Sequence, residues 1–405
     1  MKIDAEAAGF DKRRLKRITE HFERRYVSAG KIAGCQVTVA RGDHVAYSRS
    51  FGLMDRERNK PVTEDTIWRI YSMTKPITSV ALMQLYEQGA FLLTDPVDRY
   101  IPSWKGMKVG IVKDDGSIET VEPDQPVSVR DALMHTTGLP SFFASDSPID
   151  RAFGAERREA GSGATLESVC EILSRHPLKF QPGTRWNYGL STDICARLVE
   201  VLSGKPFDEY LASEIFAPLG MVDTGFFVPD ASLERFAANY NYRRGESPTL
   251  GDDPETSGYR RQPSYFSGAG GLVSTTPDYL RFCRMLVERG ELDGHRILGR
   301  KTLELMTVNH LPGGVDLTQM AMGGFGEAGF VGVGFGLGFA VGQGPAATSM
   351  AGSAGEYYWG GAASTAFWVD PAEELTVIFM TQLMPSASYP FRAQLRSLVY
   401  QALAD

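Results

Sequence analysis

The chain has 405 residues, of which 43% are hydrophobic and 22% charged, and this balance excludes a disordered or fibrous protein. Its length suits one large unit of two lobes or two domains of ordinary size, either of which can bury a substantial core. With 42 Lys and Arg against 49 Asp and Glu, the formal net charge is −7, which argues against nucleic acid as a partner because a phosphate backbone would be repelled.

The N-terminal part predicts one helix followed by a β-hairpin. Apolar residues recur at helical spacing over residues 12–28, and the basic run inside this stretch is diluted by acidic residues, as on a solvated helix face. Residues 34–40 and 44–50 are β-branched or aromatic and alternate in polarity. They flank Arg41-Gly42-Asp43, whose composition is typical of a hairpin turn.

The middle of the chain predicts helices joined by long polar loops. Residues 74–88 are apolar almost all round and stop at Gly89, as expected of a buried helix with a glycine cap. Residues 141–164 and 239–263 are rich in Gly, Ser, Asp and Arg, which predicts loops of the length that forms lids or binding loops. Further helices are predicted over residues 129–135, 166–174, 191–203 and 207–215.

After about Ser267 the chain returns to strand patterns. Strands are predicted over residues 334–341, 364–369 and 375–380, and a last helix over residues 391–403. The simplest arrangement is an α/β domain built from both chain ends, residues 1–68 and 267–405, with a mostly helical domain, residues 69–266, inserted between them. A functional site is then expected where the two meet.

The segment Ser72-Met73-Thr74-Lys75 at the start of the buried helix carries the sharpest chemical signal. Side chains three residues apart share a helix face, so the Lys75 ammonium can approach the Ser72 hydroxyl without help from other elements. The free N–H groups at a helix start also favour negative charge on the serine oxygen. The motif alone is weak, because about one match is expected by chance in a chain this long. Residues 28–31 supply a second match in a loop, and a capping serine beside a solvated lysine is the alternative interpretation.

Two further motifs favour Ser72 as a nucleophile. Trp186-Asn187-Tyr188-Gly189 stands just before a predicted helix, and a tyrosine near a lysine can relay the serine proton to a leaving group. Trp359-Gly360-Gly361-Ala362 is predicted to open a strand. Its glycines would let a substrate carbonyl approach the strand edge, where the Ala362 N–H could join that of Ser72 in an oxyanion hole.

In order and spacing, these three motifs resemble those of the class C β-lactamase and penicillin-binding-protein superfamily, and most closely its esterase branch, the family VIII carboxylesterases. The likeness covers nearly the whole chain, since residues 135–139 (HTTGL), 270–274 and 367–371 also look like family landmarks. It implies a β-lactamase/transpeptidase-like fold of α/β and helical parts, with an antiparallel sheet flanked by N- and C-terminal helices and a mostly helical inserted domain.

The same resemblance implies a role for each motif. Ser72 would be the acylated nucleophile, Lys75 and Tyr188 the coupled base and acid, and the backbone N–H groups of Ser72 and Ala362 the oxyanion hole. No cofactor or metal is implied.

Two departures from the β-lactamase pattern favour a small neutral ester as substrate. Trp359 stands where β-lactamases and transpeptidases have the lysine of Lys-Thr-Gly, so an aromatic wall replaces the cation that holds a substrate carboxylate. Leu190 stands where their Tyr-x-Asn pattern has asparagine. Aromatic residues in strands also serve as core packing, which is the alternative for Trp359. The residues expected to line the substrate pocket are Trp359, Gly360, Gly361, Leu139 and Phe142.

Three enzymatic interpretations use the same residues. The first is ester hydrolysis through an acyl-enzyme, and the second is an acyltransferase in which a bound alcohol or amine replaces water. The third is amide hydrolysis of the β-lactamase or D-amino peptidase type, which the missing Lys-Thr-Gly cation disfavours. A scaffold that binds without catalysis is disfavoured by the joint presence of Ser72, Lys75 and Tyr188.

The remaining motifs predict no cofactor and no metal site. Residues 324–329 match Gly-x-Gly-x-x-Gly but neither follow a clear strand nor open a helix. The four cysteines lack C-x-x-C spacing and the six histidines lack evident acid partners, so buried thiols and structural or surface histidines are expected. The charged N-terminal segment lacks the apolar stretch of a secretion signal, and no run approaches the ~18 apolar residues of a membrane helix. A cytoplasmic protein without a membrane segment is expected, and the oligomeric state is not predicted.

Overall fold

An eight-stranded antiparallel sheet organises the computed structural model, which describes residues 2–141, 147–322 and 330–404. The strands of the described residues are β1 (Gly34–Arg41), β2 (His44–Asp55), β3 (Lys60–Pro61), β4 (Trp68–Arg69), β5 (Val109–Val112), β6 (Ile118–Val121), β7 (Asn239–Asn241), β8 (Thr249–Asp252), β9 (Val273–Ser274), β10 (Glu291–Leu292), β11 (His295–Arg296), β12 (Val333–Phe335), β13 (Ala340–Gly342), β14 (Tyr357–Gly360), β15 (Ala366–Asp370), β16 (Leu375–Thr381) and β17 (Leu383–Met384). The main sheet has the order β12-β13-β14-β15-β16-β1-β2-β3, so strands from both ends of the chain meet at its centre.

The helices of the described residues lie on both sides of this sheet and in the stretch between its two halves. They are α1 (Lys12–Phe22), α2 (Thr74–Glu87), α3 (Val129–Met134), α4 (Pro148–Glu159), α5 (Leu166–Ser174), α6 (Ser191–Ser203), α7 (Phe207–Leu211), α8 (Ala217–Leu219), α9 (Thr276–Val287), α10 (Arg300–Met306), α11 (Leu317–Met320), α12 (Pro345–Thr348) and α13 (Phe391–Tyr400). None of the helices in the described ranges combines the length and apolarity needed to cross a membrane.

The central strands are buried along nearly their whole length because helices cover both faces of the sheet. In the pairing of β1 with β16, Val37 lies opposite Phe379. The Phe379 ring contacts Phe22 of α1 and Phe391 of α13, with ring centroids 5.1 and 5.4 Å apart. On the other face, the Phe367 ring of β15 packs against α9. The predicted antiparallel sheet, flanked by the first and last helices, is therefore confirmed.

Helix α2 is the buried helix that the sequence predicted. Eleven of its 14 residues are buried, including Lys75. The helix ends before Gly89, whose φ of 72° is the left-handed conformation that a glycine adopts without steric cost. It packs against α6, which begins just after Tyr188.

Two stretches predicted as loops contain regular structure. Within residues 141–164, helix α4 begins after Ser147, whose side chain accepts a hydrogen bond from the Asp150 N–H, with Pro148 in the first turn. These are ordinary helix start signals that the polar composition obscured. Within residues 239–263, strands β7 and β8 pair as a short hairpin.

The C-terminal part also departs from the prediction. Residues 334–341 do not form one strand: β12 and β13 are separated by a turn in which Gly338 has φ 94°. Residues 359–362 do not open a strand, because Trp359 and Gly360 end β14 and the chain then turns. Helices α9 and α10 lie in a region where only strands were predicted.

The division of the chain into two domains stays a prediction. In the described residues, the strands of the main sheet come from residues 34–61 and 333–381, and helices α2 to α11 come from the stretch between them. The two ends of the described chain lie side by side, because the Ala404 N–H donates to the Gly9 carbonyl at 2.9 Å and the Asp11 N–H donates to the Ala402 carbonyl at 2.9 Å.

Candidate active site

Ser72 lies in a tight 3₁₀ turn, Tyr71–Met73, that runs directly into α2. The preceding residue, Tyr71, has φ 42°, a left-handed conformation that is uncommon for a residue with a Cβ atom. Its phenol oxygen accepts a hydrogen bond from Asn239 Nδ2 at 3.1 Å, which helps to hold this backbone. Ser72 is 9% exposed, so its side chain lies at the edge of the buried helix.

Lys75 lies one helical turn further along α2 and is 2% exposed. Its Nζ donates to Ser72 Oγ at 3.2 Å and to the Ala269 carbonyl oxygen at 2.7 Å. The same nitrogen lies 4.3 Å from the centroid of the Tyr188 ring. The structure therefore brings the serine, the lysine and the tyrosine into one cluster, although they come from two different segments of the chain.

Tyr188 is held in a cluster of aromatic rings. Its ring centroid lies 5.0 Å from His135, 5.7 Å from Trp186 and 5.5 Å from Trp359. Trp359 Nε1 donates to the Tyr188 phenol oxygen at 3.4 Å. A donor on this oxygen favours its negatively charged form, which is the form that accepts a proton.

The His135 ring packs against the Tyr188 ring. His135 ends α3 with φ 59°, is fully buried, and its carbonyl accepts the Asn187 N–H at 2.9 Å. Burial, with a smaller contribution from the charge of Lys75, holds the pKa of His135 well below its ordinary value of 6.5. A neutral, buried imidazole packed on the tyrosine agrees with the structural role predicted for it.

The third motif ends in a tight turn against the segment that leads to Ser72. The Gly361 N–H donates to the Thr365 carbonyl at 2.9 Å, and the Ser364 N–H donates to the Gly361 carbonyl at 3.0 Å. The Ala362 N–H takes part in neither of these two bonds. A Cβ atom on Gly361 would lie 2.5 Å from the Ile70 carbonyl oxygen. Only glycine permits this close approach.

The other predicted pocket residues lie in different surroundings. Leu139 is buried, and its carbonyl accepts Asn187 Nδ2 at 2.9 Å, which ties the segment after α3 to the one that carries Tyr188. Trp359 is 2% exposed, with its ring in the aromatic cluster, and Gly360 follows it at the end of β14. Phe142 lies outside the described residues.

Asp193 is a residue of this site that the sequence reasoning missed. It is buried in the first turn of α6, and its Oδ1 accepts from Ser267 Oγ at 2.8 Å and from the Ala269 N–H at 3.1 Å. Burial raises the pKa of this carboxyl, and the nearby charge of Lys75 acts in the opposite direction. Its position five residues after Tyr188 was visible in the sequence, but its partners lie in a distant segment.

A serine hydroxyl beside a buried amine and a phenol, near a glycine turn at a strand end, is suited to attack a carbonyl and hold the resulting oxyanion. No group of three or more His, Cys, Asp or Glu side chains that could hold a metal ion occurs within residues 2–141, 147–322 and 330–404. The fold and this site define a serine hydrolase of the β-lactamase and penicillin-binding-protein superfamily. Residues 19–401 match the model of the Beta-lactamase family, and the chain belongs to that family.

Similar proteins include a mycobacterial protein and two enzymes. Protein Rv1367c of Mycobacterium tuberculosis is 32% identical over 370 residues, which cover 90% of this chain and 89% of the relative. Esterase EstB of Burkholderia gladioli is 31% identical over 394 residues and 91% of each chain. The solved structure of EstCE1, a hydrolase with promiscuous acyltransferase activity, superposes with a TM-score of 0.79 at 26% identity and covers 96% of this chain and 99% of its own. The superfamily and fold indicated by the three motifs are confirmed.

Proposed function

We propose that the protein is a carboxylesterase that hydrolyses small neutral esters through an acyl-enzyme on Ser72. The observation that carries this proposal is the position of Lys75 Nζ, 3.2 Å from Ser72 Oγ and 4.3 Å from the centre of the Tyr188 ring. One amine thus contacts both the nucleophile and the phenol. The similarity to Esterase EstB and to the hydrolase EstCE1 supports the same reaction class.

In the first half of the reaction, Ser72 Oγ attacks the ester carbonyl while its proton passes to the coupled pair of Lys75 and Tyr188. The negative charge that develops on the carbonyl oxygen is held by the N–H groups of Ser72 and Ala362. The bond to the alcohol oxygen then breaks, and Tyr188 returns the proton to this leaving oxygen. The products of this half are the free alcohol and an ester of Ser72.

In the second half, water replaces the alcohol. The pair of Lys75 and Tyr188 takes a proton from the water as it attacks the acyl carbonyl, and the same oxyanion hole holds the charge. The bond to Ser72 Oγ breaks, the serine oxygen regains its proton, and the carboxylic acid leaves. No cofactor takes part in this scheme.

The preference for a neutral ester rests on Trp359. Its ring is buried against Tyr188, in the place where the Lys-Thr-Gly motif of related β-lactamases has a cation. A substrate carboxylate would have to be desolvated there without an ion pair, which costs several kcal/mol. This supports a neutral ester rather than a penicillin as the substrate, as proposed for a member of the family VIII carboxylesterases.

Acyl transfer is the second candidate function, because EstCE1 is a hydrolase with promiscuous acyltransferase activity. The same acyl-enzyme would be resolved by a bound alcohol or amine instead of water. Added alcohol would then change the ratio of ester to acid among the products without changing the rate of the initial burst in which the first alcohol is released.

The test compares hydrolysis of p-nitrophenyl butyrate with that of nitrocefin, a β-lactam. We expect faster turnover of the ester. Ser72→Ala, Lys75→Ala and Tyr188→Phe should each lower kcat by on the order of 10³-fold, as for other groups that act as one catalytic unit. Labelling with a fluorophosphonate should modify Ser72, as read by peptide mass spectrometry.

The second Ser-x-x-Lys match supplies the control. Ser28 and Lys31 have the same spacing but are exposed, so Ser28→Ala and Lys31→Ala should leave the rate unchanged. Faster turnover of nitrocefin would replace the esterase assignment by a β-lactamase one. Full activity of Ser72→Ala would refute the proposal altogether.

A further inference from the structure

An amine and a carboxyl group, those of Lys75 and Asp193, are buried close to Ser72, and the proposed reaction uses only the amine. Lys75 lies on α2 and Asp193 on α6, and both are almost completely buried. Burial raises the pKa of the Asp193 carboxyl and the charge of Lys75 lowers it, so the carboxyl lies in the field of the ammonium group. A buried charge is expensive unless it is compensated, and each of these two groups contributes to the compensation of the other.

The two charged groups are joined through a single residue. The Ala269 N–H donates to Asp193 Oδ1 at 3.1 Å, and the Ala269 carbonyl accepts from Lys75 Nζ at 2.7 Å. Ser267 Oγ adds a second bond to the same carboxylate oxygen at 2.8 Å. The carboxylate thus holds Ala269 by its N–H, and the ammonium binds the carbonyl on the other side of the same α-carbon, so the position of one group depends on the position of the other.

The segment that carries Ala269 has little freedom to move. The carbonyl of the neighbouring Gly268 accepts a hydrogen bond from Thr78 Oγ1 of α2 at 2.8 Å. A Cβ atom on Gly268 would lie 2.7 Å from Ala196 Cβ and 2.8 Å from the Thr192 carbonyl oxygen, so the backbone lies directly against α6. The Ala269 carbonyl that accepts from Lys75 therefore belongs to a rigid segment and not to a mobile loop.

We infer that Asp193 is a positioning residue for Lys75: through Ala269 it fixes the direction of the ammonium group toward Ser72, and it supplies the negative charge that balances the lysine. This inference deepens the proposed function and rests on the role of Lys75 proposed there. When Lys75 gives up or takes up its proton during the reaction, the nearby carboxylate favours the protonated amine. Asp193 thereby makes the Lys75 amine a stronger base and also fixes its position.

The neighbouring titratable groups do not obscure this effect near neutral pH. Burial raises the pKa values of the phenol and the two thiols and lowers that of the imidazole, so all four are neutral there. These four groups are Tyr265, Cys170, Cys195 and His135. Asp193 and Lys75 are thus the pair whose charges a substitution would unbalance.

The experiment measures kcat and KM for p-nitrophenyl butyrate across pH in wild type, Asp193→Asn and Asp193→Glu. Asparagine keeps an acceptor oxygen but removes the charge, so the protonated amine is less favoured and the acid limb of the kcat profile should move to lower pH by about 1 unit or more. We expect kcat to fall at least about 10-fold while KM changes little, since Asp193 is buried and not accessible to a substrate. Glutamate keeps the charge but misplaces the oxygen, so kcat should fall while the acid limb stays in place.

Asp278→Asn is the matched control. Asp278 is also buried in the first turn of a helix, its pKa is also raised by burial, and it binds the Asp223 N–H and Thr224 Oγ1 rather than the site. If Asp193→Asn is as active as wild type, or if its loss of kcat leaves the pH profile unmoved as in Asp278→Asn, the inference is wrong. Should Asp193→Asn fail to fold by circular dichroism, the profile of Asp193→Glu decides: an acid limb that moves to lower pH with the charge retained overturns the inference.

The test of Asp193 can fail while the test of the proposed function succeeds. The esterase assignment depends on wild-type turnover and on labelling of Ser72, neither of which involves an Asp193 variant. A labelled, active wild type with an unaffected Asp193→Asn variant would refute only the positioning role.

Discussion

Removing the hydrogen bond from Trp359 to Tyr188 tests how much this bond contributes to the reaction rate. Trp359→Phe keeps an aromatic ring beside Tyr188 but removes the Nε1–H donor, which lies 3.4 Å from the phenol oxygen. A hydrogen bond to a charged group contributes about 1.5 to 3 kcal/mol and one between neutral groups about 0.5 to 1.5 kcal/mol; because this bond is long and the phenol carries only part of a charge, we take the lower range. That range corresponds to a loss of about 2- to 10-fold in rate. Because the donor favours the negatively charged phenol in the proton relay, the loss should appear in kcat and leave KM nearly unchanged.

The assay is steady-state hydrolysis of p-nitrophenyl butyrate, with Trp368→Phe as the matched control. Trp368 is also buried, one strand away on β15, but its Nε1 has no hydrogen-bond partner among the described residues. Both substitutions shrink an indole to a phenyl ring, and only the first removes a bond to the site. Equal values of kcat in the two variants would show that the Trp359 donor contributes nothing to the reaction.

Two other predictions address the turn beside the nucleophile and the acid stability of the protein. Gly361→Ala should abolish ester hydrolysis in protein that still folds, because its methyl group would lie 2.5 Å from the Ile70 carbonyl oxygen; wild-type rates would show that the turn moves freely. Because the folded-state pKa of His135 lies below its ordinary 6.5, the unfolded chain binds a proton that the folded protein does not, and the free energy of unfolding should fall as pH drops below that value. The slope is about 1.4 kcal/mol per pH unit for one such group, measured by urea unfolding, and an unchanged slope in His135→Gln would contradict this assignment.

Local patterns in the sequence predicted the parts of the fold that depend on local physics. The all-round apolar pattern of α2 and the alternation in β1 and β2 act over a few residues, and the structure contains these elements. The approach of Lys75 to Ser72 follows from helical spacing alone. The turn between β12 and β13 was missed because a run of alternating glycines and apolar residues does not reveal which glycine adopts a positive φ.

The features that the sequence did not reveal depend on distant contacts. Asp193 stands early in a helix, where a carboxylate usually needs no further explanation. Its partners, Ser267 and Ala269, belong to a segment whose place is set by packing against α2 and α6. Similarly, the strand end at Gly360 is decided by the approach of the following turn to Ile70, which no local pattern encodes.

The neighbouring ends of the chain have a consequence for how the enzyme is made. Strand β1 emerges early in synthesis, but its partner β16 and the glycine turn near Ser72 come from the last quarter of the chain. A nascent chain therefore contains Ser72 long before it contains the turn at Gly361, and we expect it to show no ester hydrolysis before that turn has been made. Since the Ala404 N–H already reaches the Gly9 carbonyl, a short peptide can join the two ends, and new termini opened in an exposed loop would yield a circular permutant with the same sheet.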